Sequence, residues 1–239
     1  MIRNFLSLLA LACAGGAPAA ATALVPLASA AAMPPSPWHL VGLPKQTMAL
    51  TQFALVDLDG RRALRVEAKD SYGNLVHPLR VAGASPRLAW QWRVDQPLAM
   101  ADLRTKAGDD NALKICVFFD LPLGDVPWRE RVLLQFARSR TDVPLPSATL
   151  CYVWDHLLPA GTALDNAYTR RVRYLVLRGQ AAGLGKWVTE RRDLAADYAR
   201  MYGAESAQLP ALTGIAIGAD ADNTHGHSIG FVADLTLEP

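Results

Sequence analysis

The sequence predicts an all-β protein, an antiparallel β-sandwich with one short helix near residues 193–202. Three observations carry that expectation. Short apolar segments recur along the chain, separated by Gly, Pro, Asn and Asp, the punctuation of turns between strands. No alternation of strand and helix patterns accompanies them, which argues against a doubly wound parallel sheet. Arg87 to Val94 alternates strictly, so that Leu88, Trp90, Trp92 and Val94 share one face and Ala89, Gln91 and Arg93 the other, the two-residue period of a half-buried strand.

The first segment reads as something other than fold. One positive charge at Arg3 precedes an apolar run from Phe5 to Ala14, followed by small residues. The run is about half the roughly 20 residues needed to span a bilayer, and this layout is that of a secretory signal peptide. Two A-x-A sites are available, Ala21-Thr22-Ala23 and Ala28-Ser29-Ala30; the second is preferred, giving a signal peptide over 1–30. A lipoprotein reading through Cys13 is weaker, because Ala10 stands where a branched residue is expected. The mature chain should be periplasmic or secreted and should carry no transmembrane segment. A proline-rich lead-in at 31–37 follows, and a single domain over 38–239 should begin near Trp38.

Within that domain, 51–56 and 61–68 read as two strands joined by Asp57-Leu58-Asp59-Gly60, since Asp-Gly supplies the positive φ angles of a tight hairpin. Further strands are expected at 75–81, 87–94, 113–120, 149–154, 172–177, 187–191, 212–217 and 228–237. The segment 132–138 fits strand or helix equally. Asp193 to Tyr202 is the helix, opened by an Asp cap and closed by Gly203. Arg170-Arg171 and Arg191-Arg192 read as solvated strand ends.

Cys116 and Cys151 lie at similar points of two apolar runs. In an oxidising compartment they either form a disulfide or remain buried free thiols. Both outcomes are compatible with the pattern.

With 24 basic and 22 acidic groups and no like-charge run, the composition offers no reason to invoke nucleic acid or an anionic membrane as partner. Chemistry is concentrated in two polar stretches. Asp102 to Asn111, including Arg104, Lys106, Asp109 and Asp110, leads into one strand; Asp220 to His225, including Asp222 and Asn223, leaves another. Paired carboxylates in such loops serve as oxygen ligands for a hard cation such as calcium, as a general acid and base, or as turn residues bonded to their own backbone. A calcium site would use Asp110, Asp220 and Asp222. An EF-hand is excluded, because His225 and Phe231 stand where glycine and glutamate are needed. His225 and His227, with His156 or Asp222, form a weaker zinc set. No G-x-S-x-G, G-x-G-x-x-G or P-loop is present. Among the tryptophans, Trp38, Trp128 and Trp187 lie beside loops and are the candidates for stacking on a sugar, Trp187 foremost.

Several motifs in order, Leu88 to Val94, Arg104 to Asp110, Leu150 to Trp154, Asn166-Ala167-Tyr168-Thr169, Gly214 to Ile217 and Asp222-Asn223-Thr224, resemble the exported bacterial family of domain of unknown function 3047, over nearly all of 38–237. The resemblance implies kinship and an exported protein without naming a reaction. The chain departs from that pattern in its cysteines, in an insertion-like stretch at 121–146 and in Ala221 between two acids. The closing segment, Gly230 to Leu237, is similar to the last strand of galactose-binding-like jelly rolls, which implies glycan binding and structural calcium by fold analogy only. The function expected is therefore a non-catalytic module binding a glycan or envelope component, with Asp109, Asp110, Asp222, Asn223, Arg104, Lys106 and Trp187 as contacts. The alternatives are a polysaccharide hydrolase or lyase using paired aspartates, and a purely structural protein.

Overall fold

A computed structural model describes residues 23–83, 86–141 and 144–238. The bulk of the expected signal peptide, 1–22, lies outside the described residues. The described residues form a β-sandwich of twelve strands and two α-helices: β1 His39–Val41, β2 Gln52–Leu58, β3 Arg61–Lys69, β4 Tyr72–Val81, β5 Arg87–Gln96, β6 Asn111–Phe119, α1 Trp128–Arg138, β7 Ala148–Trp154, β8 Ala163–Asp165, β9 Val172–Arg178, β10 Val188–Asp193, α2 Leu194–Tyr202, β11 Leu212–Asp220 and β12 His227–Glu238. One sheet has the order β1-β4-β11-β6-β7-β9-β8 and the other β10-β5-β12-β3-β2. Among these strands every pairing is antiparallel except β7 with β9.

The alternation in β5 is the backbone of the core: Leu88, Trp90, Trp92 and Val94 are 0–1% exposed. Trp90 meets Tyr152 at 5.3 Å and Trp92 meets Trp154 edge-on at 5.5 Å, so aromatic side chains from β5 and β7 interlock the two sheets. Such pairs add about 0.5–1.5 kcal/mol each beyond the area they bury. The β2–β3 hairpin turns through Asp59 (φ 52°) and Gly60 (φ 75°), the conformation anticipated from Asp-Gly.

The outer face of the seven-stranded sheet carries a second apolar cluster, in which Cys116 and Cys151 are directly opposed on β6 and β7. They form a disulfide closing a separation of 35 residues, which decides between the two readings of the thiols.

Three features differ from expectation. Residues 132–138 belong to α1, so the described residues hold two α-helices. Pro127 precedes the first turn and Glu130 lies within it, favourable placements for a helix start, and the apolar residues follow helical rather than alternating spacing. Arg171 is 5% exposed and paired with Glu205 at 2.7 Å, so it is no solvated strand end. The ordered body also starts upstream of Trp38: Leu27 is 5% exposed within the core, Leu24 packs against that core, and the Leu55 amide donates to the Ala32 carbonyl at 2.7 Å. The helix at 194–202 is as expected, with Asp193 accepting from the Ala195 and Ala196 amides at 3.0 Å.

Candidate functional site: a polar rim where two crossovers meet

The site follows from topology. The connection from β5 to β6 crosses from the five-stranded to the seven-stranded sheet, and that from β11 to β12 crosses back. Because β5 neighbours β12 in one sheet and β6 neighbours β11 in the other, the two crossovers must run side by side along one rim. The β3–β4 connection, through Asp70, crosses beside them.

The β5–β6 crossover is held in shape locally. Asp102 donates its amide to the Gly108 carbonyl at 2.7 Å, and Thr105 accepts from the Gly108 amide at 3.2 Å, closing a tight turn. A side chain at Gly108 would lie 2.7 Å from the Asp102 nitrogen, so this close approach requires glycine. Arg104 folds onto Asp102 through two bonds of 2.8 and 2.9 Å, which hold the Asp102 carboxyl below the usual carboxylate range.

The acids expected to act together do meet. Oxygens of Asp110, Asp220 and Asp222 lie within 4.8 Å of one another. Asp110 accepts from the Asn223 amide at 3.1 Å, from Asn223 Nδ2 at 3.2 Å, and from the Thr224 amide and hydroxyl at 2.7 and 2.5 Å. Asp220 accepts from the Asn111 amide at 2.9 Å and from Lys114 Nζ at 2.9 Å. That lysine is 6% exposed. Burial works against its charge, yet Asp220 together with the oxygens of Tyr72 and Tyr174 raises its pKa. Its ammonium is thus a cation built into the acidic cluster. Burial and then the charges of Asp220 and Asp110 raise the Asp222 carboxyl, whose Oδ1 has no hydrogen-bond partner among the described residues.

Asp109 points to a different set. It accepts from the Tyr174 hydroxyl at 3.0 Å and from Asn166 Nδ2. Burial, and next the Asp220 charge, push its carboxyl up to about 6. It is 5% exposed, and both of these hydrogen bonds are donated to it, by Tyr174 and by the Asn166 side chain.

Tyr168, which neither acidic stretch contains, completes the rim. Its hydroxyl lies 3.0 Å from both the Lys106 carbonyl and Asn223 Oδ1, the Lys106 ammonium stands 5.2 Å from its ring, and it is 58% exposed. Asn166 fixes the turn that presents it, accepting from the Tyr168 and Thr169 amides at 2.9 and 3.1 Å, an Asx turn. The motif Asn166-Ala167-Tyr168-Thr169 held the signal, but it lies far from both acidic stretches in sequence.

Other candidates are dispersed. Trp187 is half-buried on the outer face of the five-stranded sheet, where Arg61 and Arg93 stand 4.8 and 5.8 Å from its ring and its indole donates to Asp59 at 3.1 Å. Trp38 is buried, and Trp128 is exposed on α1. The two histidines do not converge on a metal: His225 meets Asp70 at 2.7 Å and His227 meets Glu67 at 2.7 Å, while His156 sits beside Asp155 at 3.6 Å.

A two-sheet β-sandwich whose crossovers form a polar, tyrosine-bearing rim is the class of protein defined here. The chain belongs to the family described as Protein of unknown function (DUF3047), whose model matches residues 36–236. No curated protein matches it. Among solved structures it is similar to the catalytic domain of Humicola grisea Cel12A in complex with a soaked thio cellotetraose, at 13% identity and a TM-score of 0.41, over 84% of this chain and 92% of that one.

Proposed function

We propose that the protein is exported and acts as a non-catalytic binding module for a glycan of the cell envelope, held at the rim by Tyr168, Lys106, Arg104 and Asn223. The carrying observation is the exposed Tyr168 ring, fixed to both crossovers through its hydroxyl and so pre-ordered before a ligand arrives. A rigid aromatic face stacks on the apolar face of a pyranose, and the amide and cationic groups around it supply directional contacts. The acids beneath act as the clamp that holds the rim. Export is supported by the leader pattern and by the Cys116–Cys151 disulfide, which belongs to oxidising compartments.

The test is retention of the mature protein on insoluble peptidoglycan and on immobilised envelope polysaccharides. Tyr168→Ala should reduce retention about tenfold, the equivalent of one stacked aromatic. Absence of retention on all of them, or equal retention by the variant, overturns the proposal. A second reading, a polysaccharide hydrolase or lyase, is favoured by the raised carboxyls of Asp109 and Asp222, the form a general acid takes. It requires release of new chain ends from the same polysaccharides, abolished in Asp109→Asn or Asp222→Asn.

A further inference from the structure

We propose that the leader is removed at the Ala23–Leu24 bond, after Ala21-Thr22-Ala23, and not after Ala28-Ser29-Ala30. This rests on the export reading above. Both sites offer the small residues that a signal peptidase requires, but only the upstream cut leaves a chain able to complete its core. The Val25 amide donates to His77 Nε2 at 3.0 Å, and the Val25 carbonyl accepts from the Trp38 indole at 2.9 Å. His77 is fully buried and Trp38 is 6% exposed, and their rings meet edge-on at 5.0 Å. Leu27 fills the core beside them. Arg62 clasps the same segment through the Ser29 carbonyl at 3.1 Å and the Ala31 carbonyl at 2.7 Å.

A product beginning at Ala31 would lack Leu24, Val25 and Leu27. It would leave His77 Nε2 and the Trp38 indole N–H without protein partners and open a void where Leu27 packs, each a recognised source of large destabilisation. Hydrolysis at Ala23–Leu24 adds one water across the peptide bond, leaving a carboxylate on Ala23 and an ammonium on Leu24. Ala23 is exposed and Leu24 only half-buried, so the new charge stays at the surface.

The full chain, expressed with its own leader in a Gram-negative host, is recovered from the periplasm and weighed intact. A mass corresponding to 24–239 is the expected result. A mass corresponding to 31–239, or to any other cut, overturns the cleavage position while leaving export standing. An uncut chain held in the cytoplasm overturns the export reading itself, and this inference with it. Independently, 24–239 and 31–239 are prepared leaderless in an oxidising cytoplasm; the shorter chain should melt about 10 °C or more lower, and equal melting temperatures would overturn the structural reasoning.

A separate observation concerns α1. We infer that this helix docks on an anionic lipid bilayer. Trp128, Val132 and Phe136, four residues apart, form one row along the helix, with Leu133 beside it, and these four are 56–65% exposed. Between Trp128 and Arg140 the sequence carries Arg129, Arg131, Arg138 and Arg140 against one carboxylate, Glu130, and Glu130 is turned inward to 3.7 Å from Arg171. Arg129 and Arg140 stand 5.2 and 4.5 Å from the rings of Trp128 and Phe136. Arg138 is turned to the Leu145 carbonyl at 2.9 and 2.7 Å, and the exposed aromatics are bracketed by the guanidinium groups of Arg129 and Arg140, a pattern complementary to an anionic interface, which accepts the rings at headgroup depth and the charges at phosphates. The near-zero net charge of the whole chain conceals this local excess.

The mature protein should sediment with vesicles containing phosphatidylglycerol and not with pure phosphatidylcholine vesicles. Partitioning should fall about tenfold or more in Trp128→Ser/Phe136→Ser and in Arg129→Glu/Arg140→Glu, with unchanged melting temperature in each case. Equal partitioning to both vesicle types, or variants that bind as the parent does, overturns the inference. So does a solution dimer that the same substitutions dissolve, which would assign the face to a second copy.

Discussion

Opening the Cys116–Cys151 bridge should lower the melting temperature by about 8–16 °C. The two residues face one another on β6 and β7, strands that stay hydrogen-bonded whether or not the sulfurs are joined, so the effect comes chiefly from the unfolded chain. Closing a separation of 35 residues removes conformational entropy worth about 4 kcal/mol at room temperature, and a chain of this size shifts by about 2–4 °C per kcal/mol. Both cysteines are nearly inaccessible, at 4% and 2% exposure, so reduction has to be carried out in denaturant and followed by refolding under reducing conditions, with alkylation and mass confirming two free thiols. Scanning calorimetry of oxidised and reduced protein gives the shift, and urea titration should give a larger slope for the reduced form, whose unfolded state is less compact. A shift below about 3 °C would refute the loop-entropy reasoning. A loss of folding altogether would show instead that the bridge holds β6 and β7 together in the native state.

Further expectations concern the rim and its supports. Lys114→Met leaves Asp220 buried without its counter-charge and should destabilise by about 3–5 kcal/mol, measured by urea unfolding, with part of the loss restored when Asp220→Asn is added. The Asp109 carboxyl is raised in the fold to about 6 from its ordinary 3.8, so the proton favours the native state: its contribution is present at and below pH 4 and is lost as pH rises through about 6. The difference in unfolding free energy between the parent and Asp109→Asn should fall across that window, and a difference that rises instead would contradict the assignment. Millimolar calcium and chelator should give melting temperatures within about 1 °C of one another, because the Lys114 ammonium already serves the acidic cluster; a larger stabilisation by calcium would show that Asp110, Asp220 and Asp222 hold a cation. Asp193→Ala removes the cap of α2 and should cost about 1 kcal/mol.

Residue pattern alone carried what depends on near neighbours along the chain. Leu88, Trp90, Trp92 and Val94 announced a buried face because successive strand residues point to opposite sides. Asp59-Gly60 announced a hairpin because few residues tolerate positive φ, and Asp193 announced a helix start. α1 was undetermined because its outward-facing row is apolar, so the contrast that normally distinguishes a helix's two faces is blurred. Adjacency between distant segments came from the folded chain. Asp110 and Thr224 are 114 positions apart, and they meet because β5 beside β12 and β6 beside β11 force two crossovers onto one rim. The same adjacency selected Tyr168 over Trp187 as the rim's aromatic group, joined the two cysteines, and bound Val25 to His77. Strand order is a property of long-range pairing, which local residue pattern does not encode.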